Sequence, residues 1–495
     1  MLEATIALFT PVQIGLIVLG TFLGIVVGGI PGLTGSMLIA LTVPITFYMT
    51  PVHATTLLVS MYVGGITGGL VAATLLRMPG APAAVMTPFD GYPMSQQGRP
   101  GRALGLGITA SFIGGLFAWV ILATSAKPIS LLAMRLSPFN YFALVVMALV
   151  LIATLGRSDI IKGLISGLFG ILIALPGVDP SVGQMRLTFG YGDLAGGFKL
   201  LPVLIGIFAV SQLFKDTLEI RQVVTRIEYG KSSLFISLKD LKDQAVNLFR
   251  SSSIGTGIGI LPGVGAAVAS VISYSVAKSS SKTPEKFGHG ADEGIVASEA
   301  ANNASVGGAL IPLVALGIPG SVADAILIGA LMIHTIQPGP MLFVTNPDIV
   351  WNVIMVDLVA TFVMFFLMVG LVRLYVRIID IPKAYLLPLI VVCCVVGTFA
   401  VNNTMFDVWT MLGFGLIGFL LERGGFDLGP FVIGYILAPI AESELRQGLM
   451  ITDGDYTPLF TDPISIAFLL IALILLVCPF INDWRKRRRL QSLGL

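Results

Sequence analysis

The sequence predicts an all-helical protein that crosses a membrane many times and consists of two repeated halves, expected to be inverted copies of each other. Three observations predict this fold class. Of the 495 residues, 55% are hydrophobic and only 11% are charged, whereas a soluble domain carries about 25% charged residues. Apolar runs long enough to cross a bilayer follow one another along the chain. A Pro-Gly motif recurs in the same order in both halves.

The apolar runs define the candidate membrane spans. A spanning helix needs about 20 predominantly apolar residues. The candidate spans are residues 11–30, 33–49, 52–76, 101–126, 138–156, 160–176, 199–215, 251–277, 293–316, 320–336, 350–372, 384–401, 404–421, 428–441 and 463–480. Three of these runs are shorter than a full crossing, namely 33–49, 320–336 and 428–441. Short runs bounded by Gly and Pro are typical of re-entrant hairpins, which are tolerated where they are buried or line a cavity.

Four Pro-Gly motifs interrupt these runs, two in each half. They are Pro31-Gly32 and Pro79-Gly80 in the first half, and Pro262-Gly263 and Pro319-Gly320 in the second. Proline removes a backbone donor and glycine frees the backbone, so both interrupt a helix. Interrupted segments at matching places in two halves indicate the central binding site of a transporter. The alternative is a set of kinked but inert helices, because Gly and Pro are common in membrane helices.

The most polar part of the chain separates the two halves. We expect residues 1–215 to form the first half, 216–250 an amphipathic surface linker, and 251–495 the second half with a basic tail. Within the linker, 238–249 fits an amphipathic helix that lies on the membrane surface. About seven apolar runs precede the linker, and an odd number of spans there would make the halves inverted copies.

Charge and cysteine content exclude several functions. The formal net charge of +2 gives no indication of a nucleic-acid partner, and none is expected. Trp484 followed by five basic residues at 485–489 is typical of a cytoplasmic end. The N-terminus has no basic region, which favours an uncleaved first span over a signal peptide. The Ser- and Lys-rich segment 278–286 is expected to be an exposed connection. Three cysteines in apolar runs form neither a disulfide framework nor a metal pattern.

The breaks carry the predicted chemistry. A helix that restarts after a break presents unpaired N–H groups and the positive end of its dipole, and this end can hold a carboxylate without a buried cation. Carbonyl groups freed at the other side of a break can bind sodium. The predicted substrate-binding residues at the breaks are Gly32, Leu33, Thr34, Gly35, Ser36, Arg77, Pro79, Gly80, Gly263, Val264, Gly265, Gly320, Ser321 and Asp324. This chemistry needs no catalytic residue and no cofactor.

A second constellation consists of adjacent amides inside an apolar run. Asn302 and Asn303 are expected to bind substrate, with sodium possible near these residues and Gly307. Polar side chains inside a membrane are costly unless they have partners, so they indicate function by default. The alternative is a structural hydrogen bond between helices, worth about 0.6 kcal/mol on average. Glu299, one turn earlier, marks either the same site or the interface.

The remaining polar residues are expected to have mostly structural roles. Asp90, within an Asp-Gly-x-Pro turn pattern, is expected to fix a loop. His53, His289 and His334 show no metal spacing and are not expected to relay protons. The carboxyls Asp357 and Asp407 lie either inside the bundle as coupling sites or at an interface, and Glu442, Glu444 and Arg446 are expected in a solvated turn.

These motifs resemble one known family. The paired breaks, the segment from Phe89 to Pro93, the run Glu299 to Asn303 and the stretch Gly307 to Ser321 are together similar to the large membrane subunit of bacterial tripartite tricarboxylate transporters. The resemblance covers nearly the whole chain. It implies a secondary transporter of the inner membrane that imports carboxylates such as citrate, driven by a sodium or proton gradient. It also implies two partners, a small membrane subunit and a periplasmic solute-binding protein.

Two residues depart from the pattern of that family. Arg77 stands before the break where the family usually has an Asn-containing stretch, and Asp324 stands after the last break where it usually has small hydroxyl residues. One hypothesis is that Arg77 and Asp324 pair across the repeat interface, which would reduce the cost of burying either charge. The other is that Arg77 binds a substrate carboxyl with its guanidinium fork. Both hypotheses bear on which anion fits.

Two alternative functions stay open at this stage. The first is a passive channel or exporter for organic anions, although the sequence shows no ring of charges and no filter sequence. The second is an intramembrane enzyme, although neither a nucleophile motif nor a metal triad occurs. The sequence therefore favours transport.

Overall fold

The computed structural model describes residues 10–492, apart from Pro31, Pro79, 156–159, 180–182, 219–233, 235 and 379–382. The first part of the chain is mainly helical. Its helices are α1 (Pro11–Gly29), α2 (Gly35–Thr46), α3 (Pro51–Leu76), α4 (Thr87–Gln96), α5 (Pro100–Ala133), α6 (Pro138–Leu155), α7 (Ile160–Ala174) and α8 (Leu200–Leu218). Helix α8 contains a π-helical turn at Gly206–Val210.

The second part of the chain is also mainly helical. Its helices are α9 (Leu238–Ile260), α10 (Gly265–Ser280), α11 (Asp292–Leu316), α12 (Val322–Ile333), α13 (Leu342–Thr345), α14 (Pro347–Ile378), α15 (Lys383–Asn402), α16 (Met405–Arg423), α17 (Leu428–Ile451), α18 (Thr457–Thr461) and α19 (Pro463–Ser492). The described residues contain one small antiparallel hairpin, in which β1 (Gly177–Val178) pairs with β2 (Met185–Arg186). Short 3₁₀ turns lie at Pro82–Ala84, Gly192–Gly196 and Pro284–Lys286.

The helices begin and end where local chemistry requires it. Thr10 and Thr50 cap α1 and α3, and each accepts a hydrogen bond from the third residue beyond it. Both helices then start with proline, whose missing N–H costs nothing at the first helical position. Ser237 and Asp240 form a capping box at the start of α9. Such caps satisfy the free donors at the start of a helix and contribute about 1 kcal/mol each.

Within the part of the chain that the structure describes, seven helices are long and apolar enough to cross a membrane by length and composition. They are α1, α3, α5, α8, α14, α16 and α17. Shorter apolar helices include Gly35–Thr46 and Val322–Ile333, which flank two of the breaks. The predicted fold class, an all-helical polytopic membrane protein with helices broken at Pro-Gly motifs, is confirmed.

The chain forms two compact units. The larger contains residues 1–131 and 200–419, and the smaller contains 132–199 and 420–495. All four Pro-Gly motifs lie in the larger unit. The division of the chain into halves at 215 and 251 remains a prediction about the repeat, because each unit draws residues from both halves.

The polar segment between the halves differs from the expectation. Residues 238–249 form the first turns of α9, which continues without interruption to Ile260. The prediction of a separate surface helix is therefore wrong. One side of these turns packs inside the larger unit, where Asn247 is buried and donates to the carbonyl of Glu293 at 3.0 Å.

The smaller unit contains an ion-pair network that the sequence did not indicate. Glu442 lies inside α17 and accepts two hydrogen bonds of 2.6 Å from Arg186. Arg446, one turn later, contacts Glu442 at 2.8 Å and Asp179 at 2.6 Å. The expectation of a solvated turn at 442–446 is wrong, because helix α17 continues to Ile451 and Glu442 meets the hairpin strand β2.

Candidate functional site

Each of the four Pro-Gly motifs interrupts a helix, as predicted. Helix α1 ends at Gly29 and α2 begins at Gly35, while α3 ends at Leu76. In the second half, α9 ends at Ile260 and α10 begins at Gly265, while α11 ends at Leu316 and α12 begins at Val322. The break is therefore a feature of the sequence that the fold uses four times.

The two halves repeat the same close helix packing. A Cβ on Gly24 of α1 would lie 2.5 Å from the carbonyl oxygen of Met61 in α3. Its counterpart in the second half is Gly255 of α9, where a Cβ would lie 2.3 Å from the carbonyl oxygen of Ala301 in α11. No real Cβ comes so close to a backbone oxygen, so only glycine allows α1 to meet α3, and α9 to meet α11, at this distance.

The same correspondence continues into the breaks. A Cβ on Gly28 would lie 2.2 Å from the Gly65 carbonyl oxygen, and one on Gly259 would lie 2.5 Å from that of Ser305. After the later breaks, Gly80 lies against the Gly28 carbonyl and Gly320 against the Gly259 carbonyl, with Cβ distances of 2.4 and 2.8 Å. In each half, therefore, the backbone after the second break packs on the end of the helix before the first break.

The two breaks of the second half are also joined directly. The N–H of Gly263 donates to the carbonyl of Pro319 at 3.2 Å, and a Cβ on Gly265 would lie 4.0 Å from the Ser321 side chain. In the first half, Gly35 lies against the backbone of Gly65. The chain segments at the two breaks of each half therefore lie close together.

Side chains from each half reach the breaks of the other half. Tyr62 of α3 makes a 2.8 Å hydrogen bond to the hydroxyl of Ser321, which starts α12. Asn302 of α11 donates from Nδ2 to the carbonyl oxygen of Ala83, after the break that follows α3, at 3.5 Å. Tyr62 and Asn302 occupy equivalent places in the two halves, 240 positions apart, so the exchange is reciprocal.

Helices α5 and α14 make a second contact between the halves. A Cβ on Gly115 of α5 would lie 3.0 Å from the Thr361 side chain of α14. Phe112 packs against Phe362 in an edge contact, and Trp119 donates to the carbonyl of Ile354 at 3.0 Å. Contact positions on α5 rise as those on α14 fall, so the two helices run antiparallel at this contact.

A cluster of buried polar groups, called the crossing around Glu299 below, lies where α11 meets α3 and α5. Glu299 is fully buried and accepts hydrogen bonds from Thr87, from Ser111 at 3.2 Å and from Asn302 at 3.2 Å. Asn303 continues the network, since its Nδ2 donates to Ser111 at 2.8 Å. Buried carboxylates persist in a membrane protein when they find such partners.

The two predicted amides are therefore engaged with protein groups. The Oδ1 atom of Asn303 accepts from Thr67 at 2.6 Å, and its Nδ2 donates to Asn302 Oδ1 at 2.5 Å. Gly307, the third residue of the predicted sodium site, packs closely against Ala118 of α5. Binding of substrate or sodium here stays a prediction, since these contacts describe the cluster without a ligand.

A second cluster of buried polar groups surrounds Asp324 and is called the crossing around Tyr62 below. This carboxyl is fully buried in the first turn of α12, where Tyr62 donates to its Oδ2 at 3.4 Å. The Ser321 hydroxyl caps the helix by accepting from the Asp324 N–H at 3.4 Å. Asp357 of α14 is also buried, and Asn352 of the same helix donates to the hydroxyls of Thr55 and Thr56 of α3 at 3.0 Å. Asp357 thus faces the bundle interior.

The hypothesis that Arg77 and Asp324 pair is wrong. Arg77 ends α3 in a left-handed conformation with φ of 59°, and its exposed guanidinium lies over the Tyr92 ring at 5.8 Å. Tyr62, which contacts Asp324, lies 15 residues earlier on the same helix. At 1.5 Å per residue the two levels are about 22 Å apart along the axis. Direct binding of a substrate carboxyl by Arg77 stays a prediction.

The remaining predicted site residues lie at the helix starts. Thr34 caps α2 by accepting from the Met37 N–H at 3.1 Å, as Ser321 caps α12. Leu33 and Val264 are buried beside the first and third breaks, and Ser36 lies in the first turn of α2. Pro79 lies outside the described residues.

Asp90 fixes a loop, as predicted, but the loop belongs to the other half. Its Oδ1 accepts from the N–H groups of Gly288, Gly290 and Ala291 at 2.8–3.0 Å, and its Oδ2 accepts from Tyr274 at 2.8 Å. The expectation of a turn at Asp90 is wrong, because residues 87–96 form helix α4 with Pro93 inside it. The polar pattern there reflects buried contacts and not a turn.

Sequence reasoning missed several polar members of these crossings. Tyr62, Thr67 and Ser111 are buried in long apolar helices and each bonds to a residue of the other half. A signal was available, since hydroxyl groups inside a membrane helix need partners. Their partners could not be read from the sequence, because they lie about 190 to 260 positions away.

Comparison with known proteins gives a consistent result. Residues 14–433 match the family described as the tripartite tricarboxylate transporter TctA family. The chain is 34% identical over 482 residues, 97% of its length and 95% of the relative's, to the "Uncharacterized 52.8 kDa protein in TAR-I ttuC' 3'region" of Agrobacterium vitis. It is 36% identical over 234 residues, 47% of its length and 97% of the relative's, to the "Uncharacterized protein in TAR-II ttuC' 3'region" of the same organism. No solved structure matches.

The family match covers 420 of the 495 residues and includes all four breaks and both polar crossings. The predicted resemblance is confirmed. The family is one of transporters and not of enzymes, and its name implies a tripartite transporter with further subunits. The chain therefore belongs to the tripartite tricarboxylate transporter TctA family, as a multi-pass membrane component of a transporter.

Proposed function

We propose that this chain is the transport subunit that imports small organic di- or tricarboxylates, such as citrate, across a bacterial inner membrane. The observation that carries this proposal is the reciprocal placement of Tyr62 and Asn302, each against a helix break of the other half. A substrate held between the breaks would touch both halves at once. Movement of one half against the other would then change access to it.

The breaks suit an anion. The first N–H groups of α2, α10 and α12 lack partners within their helices and carry the positive end of the dipole. Carboxylates bind readily at such helix starts. Arg77 is exposed at the C-terminal end of α3, so the helix starts would stabilise the anion without a buried arginine.

The repeat supports alternating access. Helices α5 and α14 hold similar positions in the two halves and run antiparallel where Gly115 meets Thr361. Equivalent helices that cross antiparallel about a shared contact are what an inverted repeat requires. We infer that the halves are inverted copies, and that uptake is driven by a sodium or proton gradient.

Two partners complete the proposal. A periplasmic solute-binding protein would deliver the carboxylate, and a small membrane subunit would assemble with this chain. Support for both comes from the tripartite family to which the chain belongs. Orientation in the inner membrane would place the basic residues 485–489 on the cytoplasmic side.

Uptake into vesicles tests the function. Vesicles that hold this chain and its small subunit, with the binding protein outside, are expected to accumulate labelled citrate only when a sodium or proton gradient is imposed. Asn303→Ala is expected to reduce uptake at least tenfold, because it removes an amide from the central cluster. Asn346→Ala, in the connection before α14, is the matched control.

Two results would contradict the proposal. Equilibration of citrate without any gradient would indicate a passive channel. If the vesicles accumulate another solute in response to a gradient but none of the di- and tricarboxylates tested, the chain is a transporter of another substrate class.

A further inference from the structure

The crossing around Tyr62 contains more buried negative charge than its protein partners neutralise. Asp324 is 0% exposed and Asp357 is 3% exposed. Among the described residues, Oδ1 of Asp324 and Oδ2 of Asp357 have no hydrogen-bond partner. Burying an ionised carboxylate without a partner costs several kcal/mol. Asp324 contacts Tyr62 of α3, and Asp357 lies on α14, which Asn352 joins to the same helix. Two such groups on helices that meet α3 therefore indicate that a positively charged species completes this crossing.

The crossing around Glu299 shows the contrast. There a single buried carboxylate has three partners, Thr87, Ser111 and Asn302, on its two oxygens. Neither oxygen of Glu299 is among the buried side-chain atoms that lack a partner in the described part of the chain. This crossing is satisfied by protein groups alone.

The two crossings occupy equivalent places in the repeat. Ser111 lies four residues before Gly115 on α5, and Asp357 lies four residues before Thr361 on α14, where the two helices touch. Asp324 likewise corresponds to Ala84, 240 positions earlier, in the break that Asn302 contacts through Ala83. The chain has thus placed two carboxylates where the other half has a serine and an alanine.

The available ligands are all oxygens. Besides the two carboxylates, the crossing offers the hydroxyls of Tyr62 and Ser321, which lie 2.8 Å apart. Oxygen donors suit hard cations, whereas soft metals prefer sulfur and imidazole. Asp324 also lies in the first turn of α12, where the helix dipole offsets part of its charge. One further unit of positive charge then offsets most of the remaining negative charge of the pair.

We propose that Asp324 and Asp357, with the hydroxyls of Tyr62 and Ser321, bind a monovalent cation of the size of sodium. The inference rests on the proposed function, to which it adds the coupling site. Because Ser321 belongs to a tip proposed to hold the substrate, the cation and a carboxylate substrate would lie side by side. Each would favour the binding of the other, and this coupling is reciprocal by thermodynamic necessity.

Cation binding can be measured without transport. The purified chain in detergent is titrated with sodium chloride against choline chloride at constant ionic strength and pH, without substrate or partner proteins. The thermal unfolding midpoint is expected to rise with sodium and to saturate, because a ligand that binds only the folded state stabilises it. Asp324→Asn and Asp357→Asn are expected to abolish the rise.

Two further variants keep the test decisive. Asp179→Asn changes a buried carboxylate of the smaller unit that Arg186 and Arg446 already neutralise, and it is expected to retain the sodium response. Tyr62→Phe keeps both carboxylates and removes one hydroxyl, so it is expected to fold and to need about tenfold more sodium, a loss of about 1.4 kcal/mol. A matching loss of response in Asp179→Asn would overturn the assignment.

The remaining outcomes separate this inference from the proposed function. An unfolding midpoint of the wild type that does not respond to sodium, or that responds equally in Asp324→Asn and Asp357→Asn, overturns the cation site. A sodium response that is intact in a chain unable to transport any carboxylate overturns the proposed function and supports the site. Stabilisation by acid alone, with no effect of sodium, means that protons and not sodium neutralise the pair.

Discussion

Alanine at the glycines of the repeated helix contact tests the packing of both halves. Gly24→Ala would place a Cβ 2.5 Å from the Met61 carbonyl oxygen, and Gly255→Ala would place one 2.3 Å from that of Ala301. Ordinary contact begins near 3.4 Å, so each helix pair must separate by about 1 Å. Overpacking of this kind costs about 1–3 kcal/mol. Separation would also loosen the neighbouring break.

Each helix offers its own control. A Cβ on Gly15 of α1 or on Gly257 of α9 has no atom within 4 Å. Both the test and the control variants gain the higher helix propensity of alanine, about 1 kcal/mol. This gain cancels in the comparison, and the difference in unfolding free energy between Gly24→Ala and Gly15→Ala is therefore the packing cost, about 1–3 kcal/mol. The same difference is expected between Gly255→Ala and Gly257→Ala.

Unfolding in mixed detergent micelles, followed by intrinsic fluorescence, measures these differences. Equal stability of Gly24→Ala and Gly15→Ala would refute the close contact of α1 with α3. A loss of unfolding free energy for Gly24→Ala without one for Gly255→Ala would refute the equivalence of the two halves. Citrate uptake by the same variants would show whether the helix contact or only the overall stability limits transport.

Three further predictions concern contacts away from the breaks. Asp90→Ala leaves four donors unpaired and is expected to destabilise the chain by several kcal/mol, whereas Tyr274→Phe should cost about 1 kcal/mol; equal losses of unfolding free energy would contradict the three backbone bonds. The hydroxyl of Ser237, and then Arg102, hold the pKa of Asp240 in the folded chain below its usual range. Asp240 therefore contributes to the free energy of unfolding above its pKa in the unfolded chain, and this contribution is lost as the pH falls through its pKa in the folded chain. An acid-unfolding curve that does not change in Asp240→Asn would contradict this. Glu442→Gln should lower the unfolding midpoint more than the exposed control Glu285→Gln, and equal midpoints would exclude a role for the ion-pair network.

Much of the fold follows from local sequence rules. The Pro-Gly breaks end helices because proline and glycine act on their own backbone, whatever the surroundings. Helix bounds such as Pro51–Leu76 agree closely with the apolar run 52–76. The error at 238–249 arose because the helix that begins there continues without interruption to Ile260, and one side of the last turns of this segment, at Asn247 and Leu248, packs inside the protein.

Only part of the candidate site could be predicted from the sequence. Asn302 and Asn303 were singled out because polar groups in apolar surroundings need partners, and Ser321 because it follows a helix break. The pairing of Arg77 with Asp324 was wrong, because two charges that each lie near a break need not lie at the same depth. Depth along a helix depends on where each break falls, and α3 carries Arg77 far beyond the level of Tyr62.

The sequence by itself determined that the chain is a membrane protein, where its helices break and that the breaks recur. These properties depend on residues within one or two helical turns of each other. The tertiary structure decided which polar groups meet, for example that Tyr62 reaches Ser321 and that Asp90 holds the loop at Gly288. Such partners lie about 200 or more positions apart, and their meeting depends on the rotation and depth of whole helices, which local patterns do not specify.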